Sequence, residues 1–183
     1  MILSKGFTLL ELLIVIALIS VIGGIGAPNL LEWNCKQTIK KDFTNLSSAV
    51  FLAHGRAADQ NNSTRLHGSY NSGTQTMTYR FYNAPTSKAM KVACGSSVGG
   101  TWQPTTDAPV VLTNALRSVY SNYACFHADG TVTGDQTSAQ IFQWDIGRTC
   151  GAKVIDYRIK MYQETGFMEK LVKSRQQNKW LEF

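Results

Sequence analysis

The chain has 183 residues, 44% of them hydrophobic and 16% charged, with a formal net charge of +6. That length suits one ordinary globular domain plus an appended element, and the absence of repeats or low-complexity tracts excludes a chain dominated by disorder. The modest positive charge permits attraction to nucleic acid or anionic lipid without requiring either.

The first six residues read Met1-Ile2-Leu3-Ser4-Lys5-Gly6. From Phe7 the chain is almost wholly apolar, with Glu11 the only charge before Glu32. About twenty apolar residues in a helix, at roughly 1.5 Å each, cover a hydrocarbon core of ~30 Å, so residues 7–28 read as a membrane segment. A cleaved secretory signal fits poorly, because Glu11 interrupts the stretch and only Gly24 and Gly26 offer a small-x-small cleavage site. A plain signal anchor explains the length but not the carboxylate. An ionisable group inside a membrane costs several kcal/mol unless it is paired, which marks Glu11 as functional. Gly23, Gly24, Gly26 and Pro28 close the stretch. Pro28 has no N–H to give the carbonyl of Gly24, and glycines weaken a helix further. Two readings stay open: close helix packing through small residues, or a segment that kinks or melts when the chain leaves the bilayer.

Lys5-Gly6-Phe7-Thr8-Leu9-Leu10-Glu11, followed by the apolar run and Pro28, resembles the class III signal of type IV pilins and type II secretion pseudopilins. The resemblance implies that residues 1–6 are a leader, cut between Gly6 and Phe7 by a membrane-embedded prepilin peptidase that then N-methylates Phe7. It places Glu11 at the family's acidic position and Pro28 at its helix-kinking proline. The implied partners are other major and minor pilins in a helical filament, an inner-membrane assembly platform and membrane lipid. The implied location is the inner membrane, crossed once with the head in the periplasm, and then a pilus at the cell surface. Counted alone, Lys5 before the run against Lys36, Lys40 and Lys41 after it favours the opposite orientation. The leader must nevertheless face the peptidase's side. Cleavage creates an α-amine at Phe7, cationic at neutral pH with a pKa near ~8. Glu11, one turn on, is expected to offset it or to pair with the amine of a neighbouring subunit, selecting the docking register.

Beyond Pro28, the apolar residues Ile39, Phe43, Leu46, Val50, Ala53 and Ala57 recur at three- and four-residue spacing. That is one face of an amphipathic helix, assigned to residues 29–62 and stopped by Asn61-Asn62-Ser63. Residues 63–183 form the expected β-rich head. Residues 64–70 and 76–82 flank the hairpin signal Asn71-Ser72-Gly73. Residues 84–109, with Lys88 and Lys91, read as a long connection, and 110–120 are ambiguous. Residues 123–127 and 130–133 flank Ala128-Asp129. Residues 153–163 are the clearest strand, ending at Glu164-Thr165-Gly166. The expected class is α+β: a long N-terminal helix, half membrane and half amphipathic, packed on a mostly antiparallel sheet, as in the pilin fold.

Phe126-His127-Ala128-Asp129-Gly130-Thr131, with the terminal strand leading into Thr165-Gly166, is similar to H-type pseudopilins and FimU/FimT-type minor pilins. DNA-binding members of that group carry Gly-Arg-x-Arg near the C-terminal turn. Here Gly166 is followed by Phe167-Met168-Glu169-Lys170, and Gly147-Arg148 by Thr149-Cys150, so the second Arg is missing at both places. The function expected is a minor pilin that primes or caps a type IV pilus. The alternatives are a DNA-capturing tip pilin and a type II secretion pseudopilin.

Four cysteines, none in a C-x-x-C pair, favour two disulfides in an exported domain over a zinc site. Three connectivities are possible. The shortest loop pairs Cys125 with Cys150, leaving Cys35 to pair with Cys94. His54, His67 and His127 lack a recognisable nucleophile partner and read as surface or core residues. Asp129-Gly130 and Gly134-Asp135 admit a calcium reading, but a β-turn is favoured, since no twelve-residue loop with a closing Glu follows. No phosphate-binding Gly loop is present. No catalytic group, metal or cofactor is therefore expected. The tail 169–183, with Lys170, Lys173, Arg175 and Lys179 beside Trp180, reads as a solvated helix or loop, or else as a basic patch that touches DNA.

Overall fold

The computed structural model describes residues 8–84, 94, 102–113, 123–134, 141–174 and 177–183, with the side chains of 22–29 outside that description. Two compact units emerge, Met1–Gln37 and Thr38–Phe183. Helix α1, Leu9–Asp59, runs through both and is followed only by strands, so the fold is α+β as expected. It ends where Asn61 turns into the left-handed region at φ 47°, a conformation Asn tolerates better than most residues.

Among the described residues the strands form two antiparallel sheets rather than one. The first contains β1 (Thr64–Asn71), β2 (Thr76–Asn83), β3 (Gln103–Pro104), β4 (Val110–Leu112), β5 (Tyr123–Phe126) and β6 (Val132–Gly134), in the order β3-β2-β1-β5-β6 with β4 also on β2. The β1–β2 hairpin is in the expected place. The Asn71 side-chain oxygen accepts from the N–H of Gly73 at 2.9 Å and of Thr74 at 3.2 Å, closing the turn. The second sheet is β10-β9-β8-β7, built from β7 (Ile141–Cys150), β8 (Lys153–Tyr162), β9 (Met168–Ser174) and β10 (Lys179–Glu182).

Three expectations need correction. The tail is neither helix nor loop: β9 pairs with β8, β10 pairs with β9, and that hydrogen bonding outweighs a lysine-rich sequence. The connection 84–109 holds β3 and a buried Trp102. Most directly, Cys125 is bonded to Cys94, at a Cα separation of 5.9 Å, and not to Cys150. The pairing of Cys35 with Cys94 falls with it. Loop length describes only the unfolded chain, whereas the fold puts these cysteines in different sheets. A Cβ on Gly134, which pairs with Ala124 on β5, would touch Phe142 near the start of β7. Cys150 is at the far end of that strand, about 25 Å from Phe142 at the usual rise. Cys94 and Cys125 instead pack with Ala84, Trp102 and Tyr82. Cys35 and Cys150 are disulfide-bonded too.

From Thr38 onward α1 is the spine of the head. Ile39, Phe43, Leu46, Val50, Ala53 and Ala57, the stripe read from the sequence, are all at most 1% exposed. Phe43 stacks on Tyr157 of β8 at 4.8 Å, and further along His54 sits edge-on to Phe126 of β5 at 6.2 Å. One helix thus binds both sheets. They are also stitched at their meeting edge, where the Val132 N–H donates to the Gln163 carbonyl at 2.8 Å. Arg56 grips the Asp107 carboxylate with two bonds, the Nη2–Oδ1 one at 2.6 Å, and so fastens the β3–β4 connection to the helix. That bidentate grip, helped by the Thr105 hydroxyl, holds the Asp107 carboxyl well below the usual carboxylate range and raises Arg56.

Candidate assembly site

Three residues set the start of the helix. Thr8 stands immediately before α1, and its carbonyl accepts the first helical bond from the Leu12 N–H at 3.2 Å. The Thr8 hydroxyl oxygen accepts from the Glu11 N–H at 3.2 Å. In return Glu11 Oε2 accepts from the Thr8 hydroxyl at 3.2 Å and from the Thr8 N–H at 3.4 Å. This is a capping box: side chains three residues apart satisfy N–H groups that a helix end leaves without partners. The carboxylate is also placed at the positive end of the helix dipole. The reading of Glu11 from sequence missed this role, although the signal Thr8-x-x-Glu11 before an apolar run was in plain view.

After the cap every large apolar side chain from Leu9 to Val21 is exposed, from 42% at Val15 to 80% at Leu9. The polar interruption at Ser20 is removed by its hydroxyl donating to the Ile16 carbonyl at 2.7 Å. Leu30, Leu31 and Trp33 are exposed as well. A helix apolar all round is stable only when something covers it, whether protein or lipid. Among the described residues no helix is long and apolar enough to cross a membrane. Gly6 and Phe7, the expected cleavage pair, lie outside the described residues, as does the side chain of Pro28; the backbone at Pro28 is helical.

The head offers one arrangement that sequence reasoning did not join. His127, 2% exposed, has Nδ1 at 2.8 Å from the Ser63 hydroxyl and Nε2 at 2.8 Å from the Thr133 hydroxyl. Both ring nitrogens are occupied and both ends are buried or half-buried. The trio is a strut between the exit of α1 and the β5–β6 turn, closed to a substrate. Asp129 spends its carboxylate inside that turn, accepting from the Thr131 N–H at 2.9 Å and hydroxyl at 2.6 Å. Among the described residues no cluster of His, Cys, Asp or Glu could hold a metal ion.

Residues 1–27 match the family model of the prokaryotic N-terminal methylation motif. The match covers the cap and the exposed apolar stretch, and it stops before the head. It supports a type IV pilin- or pseudopilin-type role and points to a structural subunit rather than an enzyme. It also suggests processing by a prepilin peptidase, assembly with other pilins, and a location first membrane-anchored and then on the pilus surface. No curated protein and no solved structure matches the chain.

Proposed function

We propose that the chain is a minor pilin, a structural subunit that primes or caps a type IV pilus and polymerises through its N-terminal helix. The observation that carries this reading is the capped, wholly exposed apolar stretch Leu9–Val21 inside the methylation motif. Past the cap that holds Glu11, its only polar side chain is Ser20, bonded back to the helix, so bilayer lipid covers it first and neighbouring helices replace the lipid in the filament. Processing removes Met1–Gly6, and Phe7 becomes the N-methylated terminus, one residue before the cap. Glu11, already at the helix start, then faces a new cation and sets the register against neighbouring subunits. On this reading the glycines and proline of Gly24–Pro28 weaken the helix enough for the subunit to leave the membrane.

The test is co-expression with a prepilin peptidase and mass spectrometry of the N-terminus. The expected product begins at Phe7 and carries one methyl group; a chain that keeps Met1–Gly6 overturns the reading. A Glu11→Ala chain is then scored for membrane insertion and filament incorporation, with insertion kept and incorporation lost. Labelling of sheared filaments distinguishes a sparse tip or priming subunit from one present along the whole fibre.

The nucleic-acid alternative draws on the cations of β9 and β10, but Trp180, the aromatic that would stack on bases, already has the Arg158 guanidinium 4.0 Å from its ring centroid. A gel shift that fails even at low salt removes that alternative.

A further inference from the structure

Most exposed charges of the head are sorted between its two ends; exposed Lys170, opposite Ile159 on β8, is a cation that lies outside the basic end. Phe43 of α1 packs on Tyr157, in the middle of β8, and the later His54 meets Gly166, just past the end of β8. The helix and β8 therefore run the same way, which puts Lys40 and Lys41 toward the Lys153 end of the second sheet. Lys40 lies over the Phe183 ring at 5.2 Å, and Phe183 in turn packs on Phe43 and Tyr157. The strand register brings further cations to that end: Arg148 is opposite Ile155, Cys150 opposite Lys153, Lys173 opposite Trp180 and Ser174 opposite Lys179. Among the described residues of Thr38–Phe183, Arg80 is the only exposed cation on the first sheet. Exposed carboxylates go the other way. Asp59 ends the helix, and Asp129 and Glu164 lie in the turns that meet at Gly130 and Gly166; Glu182 is the exception.

We infer that the cationic end, formed by Lys40, Lys41, Arg148, Lys153, Lys173 and Lys179, rests on anionic lipid headgroups while the subunit waits in the bilayer. The inference rests on the membrane anchoring proposed above. Lipid is favoured because this is the end at which α1 enters the head, a few residues after the apolar sequence. Half-buried Trp180, opposite Lys173 at the same end, is a side chain that settles at headgroup depth. Lysines near an anionic surface each strengthen the contact by about fivefold, and acids gathered at the far end orient the head rather than merely attract it. Leaving the membrane for the filament then means releasing this contact as well as extracting the helix.

Trp180 reports on the contact directly. Trp102 and Trp144 are buried at 4% and 1% exposure, so a Trp33→Phe chain leaves Trp180 as the tryptophan open to a quencher. The full-length chain is reconstituted in phosphatidylcholine bilayers with or without phosphatidylglycerol, each doped with a headgroup spin label. The expected result is stronger Trp180 quenching with phosphatidylglycerol. The excess should fade toward ~1 M salt, where the Debye length is about 3 Å. It should also be lost when Lys153, Lys173 and Lys179 are changed together to Glu, or to Gln should the reversed chain melt early. Quenching equal in the two bilayers, or insensitive to salt, overturns the inference while leaving anchoring intact. A chain that fails to float with either bilayer overturns both. Salt-sensitive association in neutral bilayers, lost in the reversed chain, assigns the cationic end to the acidic end of a second copy and overturns the lipid assignment.

Discussion

Leu9–Val21 and Thr38–Asp59 belong to one helix, yet they treat their apolar side chains in opposite ways. In the first stretch the large hydrophobics are exposed on every side. In the second most are gathered on a single stripe sealed against two sheets, with only Phe51 and Leu52 left exposed. The difference was written in the spacing. An apolar pattern with period near 3.6 names a partner within the chain, because only one face needs covering. An apolar run without a period has no polar face to give to water, so its partner must be lipid or other chains. The second half of α1 therefore holds the head together, and the first half leaves its apolar surface for a partner outside the head.

If the two stretches answer to different partners, substitutions in one should leave the other's property unchanged. The largest expected effect is Phe43→Ala, which opens a cavity between α1, Tyr157 and Phe183. It should cost the head about 3–5 kcal/mol in denaturant unfolding and leave membrane association as it was. Ile16→Lys is the converse. A lysine in the bilayer costs about 3 kcal/mol for insertion, read as the fraction extracted by alkaline carbonate, while the melting of the head stays put.

A smaller effect is expected where the two sheets and the helix converge. Gly166 has φ 63°, and a Cβ there would lie 2.4 Å from His54 Nε2 and 2.5 Å from the Gly130 carbonyl. Gly166→Ala combines an unfavourable backbone with that crowding, about 2 kcal/mol in thermal unfolding, and again no change in anchoring. The smallest is Asp107→Asn, near ~1 kcal/mol at neutral pH through loss of the grip by Arg56. Its sign with pH follows from the lowered carboxyl. The folded chain keeps Asp107 ionised further into acid than the unfolded chain does, so the stabilisation is complete above about pH 4. It is lost as pH falls below that toward the folded value, and the gap between wild type and Asp107→Asn in acid melts should close.

Legibility tracked how local the physics was. The stripe from Ile39 to Ala57, the stop at Asn61 and the Asn71-Ser72-Gly73 turn depend on neighbours a few residues away, and each fell where the sequence placed it. The capping box was equally local and was overlooked because Glu11 was weighed only as a charge in an apolar run. Strand β7 also carried a signal, since Phe142-Gln143-Trp144-Asp145-Ile146 alternates and buries its apolar members, but it drew no assignment. The tail was harder. Lys170-Leu171-Val172-Lys173 does not alternate, and it becomes a strand because β8 offers it an edge.

The sequence by itself determined the capped apolar segment, the N-terminal methylation motif over residues 1–27, and the stripe that makes α1 the spine of the head. All of these rest on residue type and short spacing. Only the tertiary structure decided that Cys125 takes Cys94, that the strands divide into two sheets, and that most of the head's exposed cations and carboxylates gather at opposite ends. Those outcomes depend on which strands pair and on which ends of long strands meet, distances that spacing along the chain does not encode.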